Sequence, residues 1–246
     1  MKTSGGSDAA KRRAGESAAE AVTDGDVVGL GTGSTAAHAI RAIGRRVNAG
    51  LDVRGVPTSF ASRRLARERG IPLVDLDAVF DPVASREAPA SDGGTGIDVA
   101  IDGADQIADT AIIKGGGAAH AREKVVAAAA DRFLVVVDPT KVVDVLDRSV
   151  PVEVLPDARA TVARTIRRIG GEPILREATR KDGPVVTDNG NLVLDCDFGE
   201  IDDPDPLATR LASIPGVLEH GLFVGLANEI HLGNDEGVEI RDCPSS

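Results

Sequence analysis

The sequence predicts an α/β fold: a doubly wound, Rossmann-like domain on a parallel sheet, with a second, smaller α+β domain. Three observations carry this. Over roughly the first 140 residues, short β-rich runs alternate with amphipathic stretches, the pattern of a strand–helix–strand chain. The runs "VVGL" and "LVVVD" are apolar throughout, as strands covered on both faces must be. At Pro151 the pattern changes to strands flanked by two helices. Residues 1–150, completed by 225–246, are expected to form the larger domain, and 151–224 the smaller one.

Taken in order, residues 9–22 have the composition of a first helix. Residues 26–31 read as a buried strand and 33–47 as the helix after it. A second strand is expected at 51–56, then a helix at 59–69. A third strand spans 97–102 and a fourth 133–138, with a helix at 118–130 between them. Beyond Pro151 the expected order is a strand "VPVEVL", a helix at 158–169, strands at 173–177, 185–187 and 192–197, and a helix at 206–212. "TDNGN" carries an Asn-Gly turn signal between two β-rich runs, which predicts a hairpin. Residues 222–240 return to the first domain with another strand. No internal repeat is present. Residues 81–96, rich in Pro, Gly, Ser and Asp, read as a mobile surface loop.

Composition limits the function classes. The chain has 246 residues, 42% of them hydrophobic, which is a globular balance. No apolar run approaches 18 residues, so no membrane span is expected. Residues 1–8 are small and polar, lack the apolar core of a signal peptide, and read as a loose tail. The formal charge of −11 argues against nucleic-acid or anionic-membrane partners, whose phosphates need a cationic face. Acidic and lysine-poor, the balance matches proteins adapted to high salt, and GC-rich coding produces a similar bias. Cys196 and Cys243 lack a metal-ligand spacing and read as reduced thiols.

Three segments carry chemistry. "GLGTGSTA", residues 29–36, follows a strand and opens a helix. Glycines there admit a ligand to the backbone, and N–H groups and hydroxyls at a helix N-terminus favour an anion. Gly31, Gly33 and Ala36 also fit a relaxed dinucleotide fingerprint. That reading wants an acid at the end of the second strand, and Asp52 stands at its start. Ser34 and Thr35 suit a terminal phosphate monoester better. In "IDGAD", an apolar strand ends in Asp102, and Asp105 follows. Acids at the carboxyl end of a parallel strand face the crevice where open α/β sheets bind ligands. An Asx-turn with a solvated acid is the plainer alternative. In "IKGGGAAHAREK", Lys114 can offer positive charge to an oxyanion and Glu123 can offer a base. A lone helical Glu is ordinarily just solvated, but three consecutive glycines cost chain entropy and point to a working turn.

These segments, with "VVVDPTKVV", "PVEVLP", "VTDNGNLVLD" and "IPGVLEHGLF", resemble in order and approximate spacing the type A ribose-5-phosphate isomerases, over about residues 11–233. The resemblance implies a metal-free, cofactor-free isomerase acting on a sugar phosphate by way of an enediolate, in the non-oxidative pentose phosphate pathway. It also implies a cytoplasmic homodimer or homotetramer. It assigns Asp102, Asp105, Lys114 and Glu123 to catalysis. Thr32, Gly33, Ser34 and Thr35 would hold the substrate, chiefly at its phosphate end, with Lys11 and Lys141 as further cationic contacts. Gly115, Gly116 and Gly117 would line the substrate. Three of only six lysines fall at these positions, as a chain at −11 needs for a local positive pocket. Gln106 replaces a common Glu, His120 reads as a helix-surface substitution, the 81–96 loop is longer than usual, and "LANEIHLG" departs from the usual final strand. A glucosamine-6-phosphate deaminase, a sugar-phosphate sensor and a dinucleotide dehydrogenase are the alternatives. The order of the motifs, the missing basic DNA-binding module and the misplaced acid disfavour each in turn.

Overall fold

A computed structural model describes residues 6–80 and 96–243. Of the tail expected to be loose (1–8) and the loop expected to be mobile (81–96), residues up to 5 and 81–95 lie outside the described residues, whereas Ser7 caps α1 and Asp8 begins it. In chain order the elements are α1 (Asp8–Glu20), β1 (Val27–Leu30), α2 (Ser34–Val47), β2 (Arg54–Pro57), α3 (Phe60–Glu68) and α4 (Leu76–Phe80). Then come β3 (Ile97–Gly103), β4 (Gln106–Ala108), β5 (Ala111–Ile113), α5 (His120–Ala128), β6 (Ala130–Val137) and β7 (Val150–Val154). The rest are α6 (Arg159–Arg168), β8 (Glu172–Leu175), β9 (Leu192–Asp197), α7 (Pro204–Ala212), β10 (Val217–His220), β11 (Leu222–Phe223), β12 (Glu229–Gly233) and β13 (Val238–Asp242).

Packing divides the described chain into two units. One draws on Ser4–Gly103, Arg122–Thr140 and Leu226–Ser246, the other on Ala104–Ala121 and Lys141–Gly225. The first holds a six-stranded sheet in the order β13-β12-β6-β3-β1-β2. All its neighbours are parallel except the β12–β13 pair. Both faces are covered. Val28 and Leu30 join Ala14 and Ala18 of α1, Ile40 and Ile43 of α2, and Val99, Ile101, Leu134 and Val136 in one core. Gly29, between Val28 and Leu30, faces Val126 of α5 on the other side. This explains why β1 is apolar at every position. Each fully buried Leu or Ile contributes about 1.5–3 kcal/mol by leaving water. Helix starts are set locally: the Ser7 hydroxyl accepts the Ala10 N–H at 3.0 Å, and Ser59 and Ser62 form a reciprocal cap on α3.

The second unit holds an antiparallel sheet, β10-β7-β9-β8, and a three-stranded sheet, β11-β5-β4. Val150, Val152 and Val154 alternate inward onto Val162 and Ile166 of α6, Leu194 and Cys196 of β9, and Leu211 of α7. The segment Ala104–Ala121, within the span 1–150, packs with this unit. No described helix is long and apolar enough to cross a membrane.

Three expectations need correction. The second strand starts at Arg54 and not at 51, because 51–53 first packs on the loop before β1. There the Asp52 N–H meets Asp24 at 2.7 Å and the Asp52 carbonyl accepts the Gly25 N–H at 2.7 Å. No strand forms at 185–187. The Asn-Gly turn closes through Thr187 N–H to the Asn191 carbonyl at 2.9 Å, but pairing is reduced to the isolated bridges Glu177–Pro184 and Val186–Leu192. Side chains of the turn are engaged elsewhere: Thr187, Asn189 and Asn191 all donate to one oxygen of the buried Glu153, at 2.8–3.0 Å. The tail supplies two strands to the large sheet, not one. β13 escaped notice because it is an exposed, charged edge strand.

Candidate active site

In the larger unit the site is built where the strand order reverses. β2 lies to one side of β1 and β3 to the other, so the carboxyl ends of β1 and β3 open a crevice. Asp102, 4% exposed, sits at the end of β3. One of its oxygens accepts the Thr32 N–H at 2.9 Å and the Gly103 N–H at 2.7 Å. Gly31 makes this possible, since a Cβ there would lie 2.2 Å from the Asp102 carboxyl carbon. α2 then starts at Ser34, and Gly33 ahead of it has no side chain to cap it. Its first-turn N–H groups lie beside the exposed Ser34 and the buried Thr35, the arrangement that suits an anion.

Thr32 is placed differently from Ser34. Its hydroxyl donates to Ser59 at 2.7 Å and lies 3.0 Å from that of Thr58, which donates to the Leu30 carbonyl at 3.1 Å. Thr58 and Ser59 went unremarked in the sequence. Their signal was available, as two hydroxyl residues directly after the second parallel strand. Glu123 lies in the first turn of α5 and is 5% exposed. The N-terminal end of a helix favours a carboxylate. Lys11 lies half-buried on α1. Asp52 is exposed ahead of β2, so no acid stands where a dinucleotide ribose would need one.

In the smaller unit, Lys114 follows β5 and is 3% exposed. Its N–H donates to the Gly221 carbonyl at 2.8 Å, and its ammonium lies 5.6 Å from the centroid of the buried Phe223 ring. An aromatic face at that range attracts a cation. The glycines turn immediately after: the Gly115 carbonyl accepts the Ala118 N–H at 3.0 Å, and the Gly116 N–H donates to Asp105 at 2.6 Å. Gly117 is exposed at the tip. Arg176, also unremarked in the sequence, donates to the Gly115 carbonyl at 2.8 Å while forking onto Asp195. A cavity of about 400 Å³ opens here, lined by Asp105, Gly116, Arg148, Pro151, Arg176 and Asp195. Lys141, 8% exposed, ends a short 3-10 turn, Pro139–Lys141.

Two substitutions read from the sequence acquire physical reasons. His120 is not on the helix surface but fully buried, with Nε2 3.3 Å from the Glu219 carbonyl oxygen. A Cβ on Gly115 would lie 2.8 Å from its ring. Gln106 is buried too. Its carbonyl oxygen accepts the N–H groups of Asp147 and Arg148 at 3.0 Å, and its amide donates to the Asp147 carboxylate. A Glu could not make that donation when ionised. Among the described residues, no three His, Cys, Asp or Glu side chains gather as metal ligands. Burial in β9 pushes the free Cys196 thiol well above its ordinary range, leaving it unreactive.

Residues 54–237 match the family model described as ribose 5-phosphate isomerase A (phosphoriboisomerase A). A ribose-5-phosphate isomerase A of Halorubrum lacusprofundi is 68% identical, covering 98% of this chain and 99% of the relative. One from Haloarcula marismortui is 65% identical, over 96% and 97%. Among solved structures, the ribose 5-phosphate isomerase A of Methanocaldococcus jannaschii superposes with a TM-score of 0.85 at 40% identity, covering 95% of this chain and 98% of that one. A D-ribose-5-phosphate isomerase in complex with phospho-erythronic acid gives 0.86 at 38% identity, with the same coverage.

Proposed function

The chain belongs to the ribose 5-phosphate isomerase A family, and from that premise we propose that it interconverts ribose 5-phosphate and ribulose 5-phosphate with the side chains described above. The observation that carries the reading is a family likeness over nearly the whole chain, with relatives more than 60% identical. The neighbour bound to phospho-erythronic acid supports a sugar-phosphate ligand. A place in the non-oxidative pentose phosphate pathway, in the cytoplasm, as a homodimer or homotetramer, belongs to the same reading.

Aldose–ketose interconversion moves one proton between C1 and C2 of the open-chain sugar through a cis-enediolate. It needs a base that reaches both carbons and a partner for the oxyanion. Glu123 acts as the shuttling base. Asp102, oriented by two N–H donors on one oxygen, handles the proton of the sugar oxygens. Lys114, buried and therefore in a low-dielectric setting, stabilises the enediolate charge together with nearby N–H groups. Asp105 orients the substrate or assists ring opening. Thr32 shapes the phosphate loop through Ser59 and Thr58. Ser34, Thr35 and the amides from Gly33 onward hold the phosphate. Lys11 and Lys141 add positive charge in an acidic chain.

The test is an isomerisation assay with ribose 5-phosphate in chelator, at low and at high salt. Turnover in chelator is expected. Failure at both salts would remove the reading, and recovery only on adding a divalent metal would remove its metal-free form. Replacing Glu123 with Gln should lower kcat by at least about 10²-fold, the worth of a positioned base, with KM little changed. Near-normal turnover in that variant would show that the base lies elsewhere.

A further inference from the structure

We propose that Arg176 is a positioning residue of this active site: it fixes the peptide group that holds the Asp105 carboxylate. The Gly115 carbonyl and the Gly116 N–H belong to one planar peptide unit. Arg176 donates to the carbonyl at 2.8 Å, and Asp105 accepts from the N–H at 2.6 Å. In a trans peptide the two groups point in opposite directions, so the same plane is clamped from both ends. Without the clamp the plane is poorly determined, because the turn contains three glycines and Gly115 has φ +103°. A donor on the carbonyl also polarises the peptide and strengthens its N–H as a donor to the carboxylate.

The guanidinium is itself held. Nε donates to one oxygen of Asp195 at 2.8 Å and one terminal nitrogen to the other, which leaves the remaining terminal nitrogen aimed at Gly115. The Arg176 side chain is only 11% exposed, and the facing carboxylate of Asp195 balances its charge. Only arginine offers this three-way fork. A lysine ammonium is a point charge that cannot meet a carboxylate with two donors and still reach the carbonyl with fixed geometry. The chain reaches Arg176 from β8, whose Ile174 lies opposite Asp195 in β9, so sheet register sets the fork.

The consequence for activity rests on the isomerase reading, whereas the clamp does not, so two readouts separate them. The full-length chain would be compared with Arg176→Ala, Arg176→Lys and Asp195→Asn. The readouts are kcat, KM and amide hydrogen exchange at Gly116. In Arg176→Ala, kcat should fall by about 10²-fold, the scale of an angstrom-level misplacement, while KM changes by no more than about threefold. Gly116 exchange should speed up by at least about tenfold as the turn opens locally. Lysine should not rescue either readout. Added guanidinium ion should restore part of the kcat, which a general loss of structure would not allow. Asp195→Asn should move both readouts in the same direction, and it decides the matter if Arg176→Ala fails to fold. Unchanged Gly116 exchange in a folded variant overturns the proposal. So does a raised KM with normal kcat, which would make Arg176 a direct substrate contact. An inactive wild-type chain would count against the isomerase reading alone, with the exchange rate still deciding the clamp.

Discussion

Asp102 and Asp105 are both held by main-chain N–H donors beside a glycine, Asp102 by two and Asp105 by one. At Asp102 the glycine is Gly31, whose missing Cβ leaves room for the carboxyl group and whose neighbour Thr32 donates. At Asp105 it is Gly116, which donates its own N–H and would place a Cβ 2.7 Å from the carboxylate. Gly31→Ala should therefore push Asp102 out of position. The expected cost is about 1–3 kcal/mol of stability from overpacking, with a loss of about 10²-fold in kcat from displacing the acid. Denaturant titration and steady-state kinetics would measure the two. A fully active Gly31→Ala enzyme would show that the close approach has no catalytic purpose. The acids and the glycines were legible as short motifs because their spacing is local. Thr58 and Ser59 left a local trace, two hydroxyl residues after the second strand, but their contacts with Thr32 and Leu30 span 26 to 28 residues and that of Arg176 with Gly115 spans 61.

At the scale of the element, β12 ties the tail of the chain into the large sheet by pairing parallel to β6 and antiparallel to β13. Its His231 is 2% exposed and lies 2.9 Å from the Ser17 hydroxyl of α1 and 3.3 Å from Glu229. Burial holds its imidazole below the ordinary value of 6.5, against the pull of Glu229, while Arg132 adds to the lowering. In the folded chain the ring therefore stays neutral where the unfolded chain would take up a proton. Unfolding then binds a proton below pH about 6.5, so the stability from this group is complete above that value and is lost as pH falls below it. The unfolding midpoint should drop between pH 7.5 and 5.5, and His231→Gln should flatten that part of the profile. A variant profile parallel to the wild type would mean that another group titrates. Burial raises Glu229, yet the Arg132 guanidinium beside it prevails and keeps it below the ordinary value of 4.5, so its own loss comes at lower pH. The elements themselves were largely legible, because apolar periodicity reports burial. Among the exceptions were the short elements α4, β4, β10 and β11, too brief to show a period, β13, whose edge position removes that periodicity, and 185–187, whose turn is diverted to Glu153.

Across the whole molecule, 39 acidic side chains face 28 basic ones, so the folded chain repels itself. Salt shortens the reach of that repulsion from about 10 Å at 0.1 M to about 3 Å at 1 M. The denaturation midpoint should accordingly rise over that range, and a midpoint that stays flat or falls would mean that the exposed ion pairs outweigh the repulsion. The proposed chemistry asks for the opposite, local positive charge, and Lys11, Lys114 and Lys141, three of only six lysines, are the cations it draws on. The amino-acid sequence by itself determined the fold class, the order of the main elements and the family, and it marked the three segments on which the proposed chemistry rests. Those follow from periodicity, turn chemistry and local spacing, which act over a few residues. Only the tertiary structure decided that Asp102 is gripped by the loop of Gly31 and Thr32, that His120 and Gln106 are buried with specific partners, and that Arg176 and Asp195 brace the glycine turn that holds Asp105. In these contacts Thr32 and Asp102 are 70 positions apart, Gly115 and Arg176 61, and His120 and Glu219 99. The register of the sheets sets them, and no local pattern in the chain encodes that register.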